Sequence, residues 1–572
     1  MTDTHPLPWQ ASYPPNIDWA ATVAACPVTD ILDMAVARYG DRPCIDFLDK
    51  IYSYDEIGEL VRRAAKGFQT LGVGKGSRIG LCLPNTPYYV ICYYAILKAG
   101  GTVVNFNPLY AKRELKHQVS DSGTTIMVTL NVRQIYPKVA DLLQHTCLKK
   151  IVVCSMSEIL PPFRGLLFSI FKRSQLASIP EDDHHVSFET LTINKGAPTP
   201  VTIDAHEDIA LLQYTGGTTG TPKGAMLTHA NLTSNVDQLI RWYPEIDMGN
   251  EVMLAVIPFF HVFSMTVAMN VGLAVGAEII MLPRFELDQV LDTITKKHPT
   301  LFPGVPTIFA AIGAAENLDR HDLSSLRVCL SGGAALPLAV RQKFETLTGC
   351  YLVEGYGLSE ASPVTACNPI GGVNKEGSIG LPLPGTLVEI RDPDNPERLM
   401  PPGEIGEICF TGPQIMAGYW NNAEETKQTL RGTRLHTGDI GYLDDDGYIF
   451  LVDRIKDLIL CSGFNVYPRN IEDAIYLHPA VEEVTVIGVS DEYRGQTPKA
   501  FIKLKEGQPL TTDELRMFLQ DKLSKIEMPE FIEFRDELPK TMIGKLSKKE
   551  LVAQELTNTK NETNTIAPNK PH

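Results

Sequence analysis

One stretch of this chain combines residue types that suit the binding of a polyphosphate. It runs from Tyr214 to His229 and reads YTGGTTGTPKGAMLTH, with four glycines, five threonines and a single lysine, Lys223. Glycines let the backbone approach a ligand closely and turn its N–H groups inward. Threonine hydroxyls add donors, and the lysine supplies a positive charge for phosphate oxygens. Since no Gly-Lys-[Ser/Thr] ending follows at P-loop spacing, a different phosphate loop is predicted.

The residues on either side of this stretch predict the elements that hold it. An apolar run, Ile209–Gln213, predicts a strand that leads into the loop. Beyond the loop, Leu232, Val236 and Ile240 recur at helical spacing, which predicts a helix capped by Thr228. A flexible surface turn is the competing interpretation, but the ordered motif favours a ligand loop.

Much of the chain alternates between strand and helix patterns. Such alternation implies right-handed crossovers and mostly parallel sheets with helices on both faces, an α/β fold class. The first region has predicted strands at Arg78–Leu83, Thr102–Phe106 and Thr125–Leu130, and helices at Thr29–Tyr39, Pro87–Ala99 and Arg113–Ser120. The second has strands at Met253–Ile257, Glu278–Leu282, Thr300–Pro303 and Arg327–Leu330, and a helix at Leu287–Lys297.

The pattern changes toward the C-terminus. Short strands are predicted between 407 and 451, followed by a small α+β pattern with helices at Arg469–Leu477 and Thr512–Leu523 and strands at Val484–Gly488 and Lys499–Leu504. We predict a polar leader at 1–28 and a large N-terminal domain at 29–455, made of sheets layered with helices plus a short-stranded β subdomain. A small mobile C-terminal domain at 456–551 and a disordered tail at 552–572 follow.

Composition narrows the function classes. With 572 residues the chain has ample material for a buried core, and its net charge of −16 argues against a nucleic-acid partner. The eleven cysteines lie scattered in apolar runs without a C-x-x-C pair, which is typical of reduced thiols in a cytoplasmic protein. The N-terminus shows no secretory pattern.

One segment, Ile159–Arg173, suggests a surface role. It reads ILPPFRGLLFSIFKR and places five apolar side chains at helical spacing beside Arg164, Lys172 and Arg173. A short basic amphipathic helix of this kind can lie in a membrane interface, which would put the protein at the inner face of the cell membrane. The alternative, which we favour at this point, is a surface helix whose apolar side faces the core.

The loop closely resembles the phosphate-loop signature of adenylate-forming enzymes, which comprise acyl-CoA synthetases, luciferases and the adenylation domains of peptide synthetases. Five further motifs stand in the order that family requires, so the resemblance covers roughly residues 30 to 551. They are PFFHV at 258, SGGAAL at 331, GYGLSE at 355, LHTGD at 435 with DRIKD at 453, and LPKTMIGK at 538. The segment Val103–Tyr110 resembles bacterial long-chain fatty acyl-CoA synthetases in particular.

The resemblance implies a role for each matching residue. The implied nucleotide-binding residues are Thr215, Gly216, Gly217, Thr218, Thr219, Gly220, Lys223, Gly332, Gly333, Ala334, Gly355, Tyr356, Gly357, Ser359, and, for the ribose, Asp439 and Arg454. Glu360 and Thr215 are the implied Mg²⁺ ligands, and oxygen donors suit that ion. His261 is expected at the mouth of the acyl pocket. Lys545 is the implied catalytic lysine, Lys456 the hinge, and Ser462 with Gly463 the face that meets coenzyme A.

Two positions depart from the family pattern. Ser359 stands where threonine is usual, and serine keeps the hydroxyl. Met265 stands where one long-chain enzyme type has a gating tryptophan, so gating by an indole is not expected here. A flexible methionine still suits an alkyl chain.

The function implied is ATP-dependent activation of a long-chain fatty acid to acyl-AMP, with release of pyrophosphate, and then transfer of the acyl group to coenzyme A. Several alternatives stay open: a ligase that loads a carrier protein, a medium-chain or aryl acyl-CoA synthetase, a luciferase-like oxygenase, and a non-catalytic nucleotide or acyl-lipid sensor. A homodimer is also an open expectation.

Overall fold

The computed structural model describes residues 7–215, 222–462, 464–491, 493–540 and 546–555. The first elements along the chain are β1 (Pro43–Phe47), β2 (Lys50–Ser53), β3 (Arg78–Cys82), β4 (Thr102–Asn105), β5 (Ile126–Leu130), β6 (Lys150–Cys154), β7 (His185–Ser187), β8 (Ile209–Thr215) and β9 (Lys223–Thr228), with α1 (Val28–Tyr39), α2 (Tyr54–Thr70), α3 (Pro87–Lys98), α4 (Lys112–Ser122), α5 (Tyr136–His145), α6 (Pro162–Phe171), α7 (Phe188–Thr192) and α8 (His229–Trp242).

Most of these strands form an eight-stranded sheet. Its order is β9-β8-β4-β3-β5-β6-β7, with a short outer strand, β19 (Gly418–Tyr419), beside β9. The pairings from β8 through β7 are all parallel, as the strand–helix alternation predicts. Helix α3 is apolar on all sides and lies in the core, with Tyr89 and Tyr93 fully buried.

The middle of the chain forms a second, fourteen-stranded sheet together with β1 and β2. Its elements are β10 (Val252–Ala255), β11 (Glu278–Met281), β12 (Leu301–Gly304), β13 (Val328–Ser331), β14 (Tyr351–Gly357), β15 (Val364–Cys367), β16 (Ser378–Pro382), β17 (Leu387–Arg391), β18 (Gly406–Thr411), β20 (Leu430–Arg431), β21 (Arg434–Leu443) and β22 (Ile449–Arg454), and the helices are α9 (Val262–Ser264), α10 (Val271–Ala274), α11 (Leu287–Lys297), α12 (Pro306–Gly313), α13 (Leu338–Thr348) and α14 (Ala423–Thr429). From β14 onward toward β17 the pairings are antiparallel, and this part is the predicted β subdomain.

Among the described residues, a five-stranded sheet, two helices and a further helical segment at 548–555 form the C-terminal part. The elements are β23 (Ile459–Cys461), β24 (Phe464–Val466), β25 (Val481–Asp491), β26 (Gly495–Leu504), β27 (Phe531–Phe534), α15 (Pro468–Tyr476) and α16 (Thr512–Leu519). The predicted capping box begins α16, since the Thr511 side chain accepts from the backbone N–H of Glu514 and the Glu514 carboxylate accepts from that of Thr511. The α/β class with a small α+β C-terminal part is thus confirmed.

Several elements differ from the prediction. The predicted helix after the loop is confirmed, since α8 begins at His229 and the Thr228 side chain caps it. The residues between the loop and this helix form β9, which pairs antiparallel with β8 and was not predicted. Helix α2 and the β1–β2 hairpin were not predicted. Residues 552–555 continue a helix that begins at 548, so the tail cannot start at 552; Leu551, which is 1% exposed, holds this helix against Phe501 and Leu538.

Candidate active site

The predicted ribose contacts meet on a β-hairpin. In the register of β21 and β22, Asp439 lies opposite Arg454, and the Arg454 Nε lies 3.1 Å from an Asp439 carboxylate oxygen. The Tyr356 hydroxyl donates to the other carboxylate oxygen. Asp439 is 3% exposed, and its charge raises the pKa of the Arg454 guanidinium. Three residues from three separate motifs therefore share one small polar site.

A buried carboxylate that we did not predict supports the turn before Asp439. Glu407 accepts from the backbone N–H of Gly438 at 2.9 Å and lies 2.7 Å from Nδ1 of His436. The Thr437 hydroxyl donates to the backbone oxygen of Ile408 at 2.6 Å. Glu407 lies on β18, far from the LHTGD motif in sequence, so no local spacing could have revealed it.

The glycines of the two predicted adenine-side segments allow close packing of the backbone. A Cβ at Gly332 would lie 3.0 Å from the Phe263 ring, and one at Gly357 would lie 2.0 Å from the backbone oxygen of Pro363. Gly333 adopts a φ of +80°, which favours glycine. Gly332 through Ala334 follow the carboxyl end of β13, and Gly355 through Gly357 end the neighbouring strand β14. Sheet pairing thus places the two segments side by side.

The phosphate side is built by the β8–β9 hairpin. Thr215 and Lys223 face each other in its register and close the loop between them. Five predicted contacts, Gly216, Gly217, Thr218, Thr219 and Gly220, lie outside the described residues. The Lys223 ammonium forms an ion pair with Glu425 and lies 5.4 Å from the centroid of the Tyr419 ring.

The predicted Mg²⁺ ligand Glu360 lies in a 3₁₀ turn, Ser359–Ala361, that packs beside β8 and β9. Its Oε1 accepts from the Tyr419 hydroxyl at 2.6 Å. Burial, and then the neighbouring Glu360 carboxylate, raise the pKa of Tyr419, so the phenol keeps its proton. The carboxylate of Glu360 and the hydroxyl of Thr215 on β8 are the oxygen donors that Mg²⁺ prefers, so the residues fit this ion.

His261 lies directly before the short helix α9. It caps α9 and accepts from the backbone N–H of Phe263 at 3.3 Å, while Gln213 of β8 donates to the neighbouring carbonyl of Phe260. Met265 is fully buried at the start of a π-helix, Met265–Asn270, and its sulfur lies 3.7 Å from the Asn105 amide nitrogen. Local π-helix often marks a functional site.

Two further predicted residues, Lys456 and Ser462, make none of the contacts described above. Lys456 lies exposed in a 3₁₀ turn, Ile455–Asp457, directly after the Arg454 contact. Ser462 occupies the turn between β23 and β24 with a φ of +51°. Gly463 and Lys545 lie outside the described residues.

Comparison with known proteins agrees with this geometry. Residues 32–420 match the family described as AMP-binding enzyme, and residues 470–545 match the AMP-binding enzyme C-terminal domain. The chain belongs to this family. An AMP-binding enzyme needs a nucleoside site and a phosphate site. Most residues of both sites fall within the matched ranges; the exceptions are Glu425 on α14, Asp439 on β21 and Arg454 on β22.

Two curated relatives and one solved structure extend this finding. The chain is 42% identical to a long-chain-fatty-acid–CoA ligase of Bacillus subtilis (strain 168) over 562 residues, covering 96% of this chain and 98% of the relative. It is 36% identical to a protein of the same name from Escherichia coli O6:H1, over 92% and 94% of the two chains. The ATP-bound crystal structure of MatB from Rhodopseudomonas palustris superposes with a TM-score of 0.82 at 27% identity, covering 93% of this chain and 99% of that one.

Proposed function

We propose that this AMP-binding enzyme is a long-chain-fatty-acid–CoA ligase. It activates a fatty acid with ATP to acyl-AMP and pyrophosphate, then transfers the acyl group to the thiol of coenzyme A. The observation that carries the proposal is the 42% identity to a ligase of this name over 98% of that relative. The relatives' names do not favour the carrier-protein, oxygenase or sensor alternatives.

In the first half-reaction, a fatty-acid carboxylate oxygen forms a bond to the α-phosphorus as the bond to the bridging oxygen breaks and pyrophosphate leaves. Two like charges about 4 Å apart at an effective dielectric of about 20 repel by roughly 4 kcal/mol, so cationic groups must offset phosphate charge. Asp439 and Arg454 would hold the ribose, Tyr356 the adenine, and Lys223 the β- and γ-phosphates. Mg²⁺ held by Glu360 and Thr215 would supply further charge neutralisation.

In the second half-reaction, the thiol attacks the acyl carbonyl and AMP leaves. The two half-reactions need different groups at one site, and a turn of the C-terminal domain at Lys456 would exchange them. Lys545 would serve only adenylation, where it bridges the carboxylate and the α-phosphate, and Ser462 with Gly463 would face coenzyme A.

Lys545→Ala tests this division of labour. We expect it to abolish pyrophosphate release with ATP and palmitate, while thioester formation from supplied palmitoyl-AMP and coenzyme A stays largely intact. Lys549→Ala, at an exposed lysine on the following helix, is the matched control and should retain both activities. Equal loss of both half-reactions in Lys545→Ala would refute the proposed roles. A panel of acids from acetate to oleate, with coenzyme A as sole acceptor, tests the long-chain specificity.

We also propose that α6 contacts a membrane with anionic lipids. Four of its apolar side chains do not face the core, contrary to the interpretation favoured from sequence: Phe163, Leu166, Ile170 and Phe171 are 72%, 59%, 58% and 75% exposed, whereas Phe168 packs against the core. Its opposite side is fixed to the protein, because a Cβ at the buried Gly165 would lie 2.4 Å from the backbone oxygen of Ser157. Full burial of one such side chain is worth roughly 1.5–3 kcal/mol, so four together suffice for peripheral binding.

The basic side chains beside the apolar side of α6 favour a membrane with anionic lipids as its binding partner. Arg164, Lys172 and Arg173 are exposed beside the apolar side chains of α6, on a protein whose net charge is −16. Arg164 also binds Asp49 at 2.7 Å, which ties α6 to the β1–β2 hairpin. Among the described residues, no helix has the length and apolarity that crossing a bilayer requires.

The double substitution Phe163→Asp and Phe171→Asp should lower binding to phosphatidylglycerol-containing vesicles at least tenfold, with activity on soluble octanoate retained. Leu477→Asp, at a side chain 67% exposed on the C-terminal part, is the matched control and should bind as wild type. Unchanged vesicle sedimentation of the double variant would end the proposal. A homodimer remains a prediction, for which sedimentation equilibrium is the test.

A further inference from the structure

The phosphate-binding lysine of the proposed reaction has a carboxylate partner that the sequence motifs do not include. Lys223 at the start of β9 is paired with Glu425 of α14, and the two side chains are 27% and 29% exposed. In the proposed reaction, Lys223 also supplies the positive charge that binds the β- and γ-phosphates. An arriving polyphosphate therefore meets an ammonium group that is already neutralised, and it must displace Glu425 or share the lysine with it.

The backbone holds Glu425 in this place independently of the ion pair. Glu425 lies in the first turn of α14, where the Asn422 side chain caps the helix by accepting from the backbone N–H of Glu425 at 3.2 Å. A negative charge is favourable in the first turn of a helix. The Thr426 hydroxyl accepts from the backbone N–H of Tyr419 at 2.9 Å, which ties the same turn to β19.

The pair is connected to the implied metal ligand. Tyr419 lies on β19, pairs with β9, and presents its ring to the Lys223 ammonium. Its hydroxyl donates to Glu360 at 2.6 Å. Glu425, Lys223, Tyr419 and Glu360 thus form a continuous chain of contacts along the side of the site where pyrophosphate would be formed.

We infer that Glu425 is a positioning residue that acts through Lys223: it competes with polyphosphate for the lysine, weakens the binding of ATP and pyrophosphate, and promotes pyrophosphate release after adenylation. This inference rests on the proposed function. It concerns the β- and γ-phosphates only, because AMP has no phosphate that would reach for Lys223 in this arrangement.

Isothermal titration of the full-length protein with ATP, pyrophosphate and AMP in the presence of Mg²⁺ tests the inference without needing turnover. Glu425→Gln keeps the size of the side chain and removes its charge. We expect it to tighten ATP and pyrophosphate binding by about two- to fivefold, the range of a partly exposed ion pair, and to leave AMP affinity unchanged. Glu424→Gln, at an exposed glutamate on the same turn, is the matched control and should change none of the three.

A second comparison excludes a merely structural effect. In a Lys223→Met background, Glu425→Gln should no longer change pyrophosphate affinity, since the lysine for which the two anions compete is gone. Glu425→Asp keeps the negative charge, so its binding of ATP and pyrophosphate should stay at least partly as weak as in wild type.

Unchanged ATP and pyrophosphate affinities in Glu425→Gln, or an effect that persists without Lys223, would overturn the inference while leaving the proposed function intact. Wild-type protein that binds no ATP would overturn both. In steady state, Glu425→Gln should be inhibited by added pyrophosphate at about two- to fivefold lower concentration than wild type.

Discussion

Replacing Asp439 by asparagine tests whether Asp439 on β21, with its partner Arg454 on β22, binds the ribose hydroxyls of ATP. Asp439 is 3% exposed, forms an ion pair with Arg454 at 3.1 Å and accepts a hydrogen bond from Tyr356. The amide is nearly isosteric but neutral. Because the Arg454 side chain is 43% exposed, solvent screens the ion pair, and we expect the loss of unfolding free energy to be only about 1 kcal/mol.

The effect on nucleotide recognition should be larger than that on stability. A hydrogen bond to a charged group is worth about 1.5–3 kcal/mol, so the KM for ATP should rise roughly 10- to 100-fold. The decisive assay compares pyrophosphate release with ATP, 2′-deoxy-ATP and 3′-deoxy-ATP. Wild type should discriminate against at least one deoxy analogue, and Asp439→Asn should lose most of that discrimination.

The control for this substitution lies on the same hairpin. Asp445→Asn changes an exposed aspartate between β21 and β22 and should alter neither stability nor the ratio of ATP to deoxy-ATP activity. If Asp439→Asn lowers the unfolding free energy but keeps the wild-type discrimination between the nucleotides, Asp439 is a structural partner of Arg454 and does not contact the ribose.

Three further predictions concern neighbouring residues. Burial raises the pKa of Glu354 from 4.5 to about 7, so the unfolding free energy should fall by about 3 kcal/mol as the pH rises from 4.5 through 7; Glu354→Gln should remove this fall in denaturant titrations at pH 5 and pH 8. Tyr419→Phe removes the donor to Glu360 and should raise the Mg²⁺ concentration for half-maximal activity roughly tenfold, with an unchanged value counting against Glu360 as a metal ligand. Gly357→Ala places a Cβ 2.0 Å from the Pro363 oxygen and should lower the unfolding free energy by about 3 kcal/mol in the same titrations. An unfolding free energy equal to that of wild type would show that the backbone shifts to accept the Cβ at little cost.

The fold class and most core elements could be predicted because they depend on local periodicity. Helix α11 has the predicted bounds, Leu287–Lys297, since its apolar positions and its lysine-rich end lie within a single stretch. Strand β9 was missed because its residues follow a loop that we interpreted as leading directly into a helix. Helix α6 shows a further limit: periodicity identifies an apolar side but does not say what covers it.

The sequence by itself determined which residue types could bind a nucleotide, because the motifs of the family are short and local. Only the tertiary structure decided which of them meet. The register of β21 and β22 places Asp439 opposite Arg454. Tyr356, on the separate strand β14, reaches the same carboxylate with its hydroxyl. The partners Glu407 and Glu425 come from distant positions in the chain, and their roles depend on the packing of strands and on electrostatics across them, which no spacing within a motif encodes.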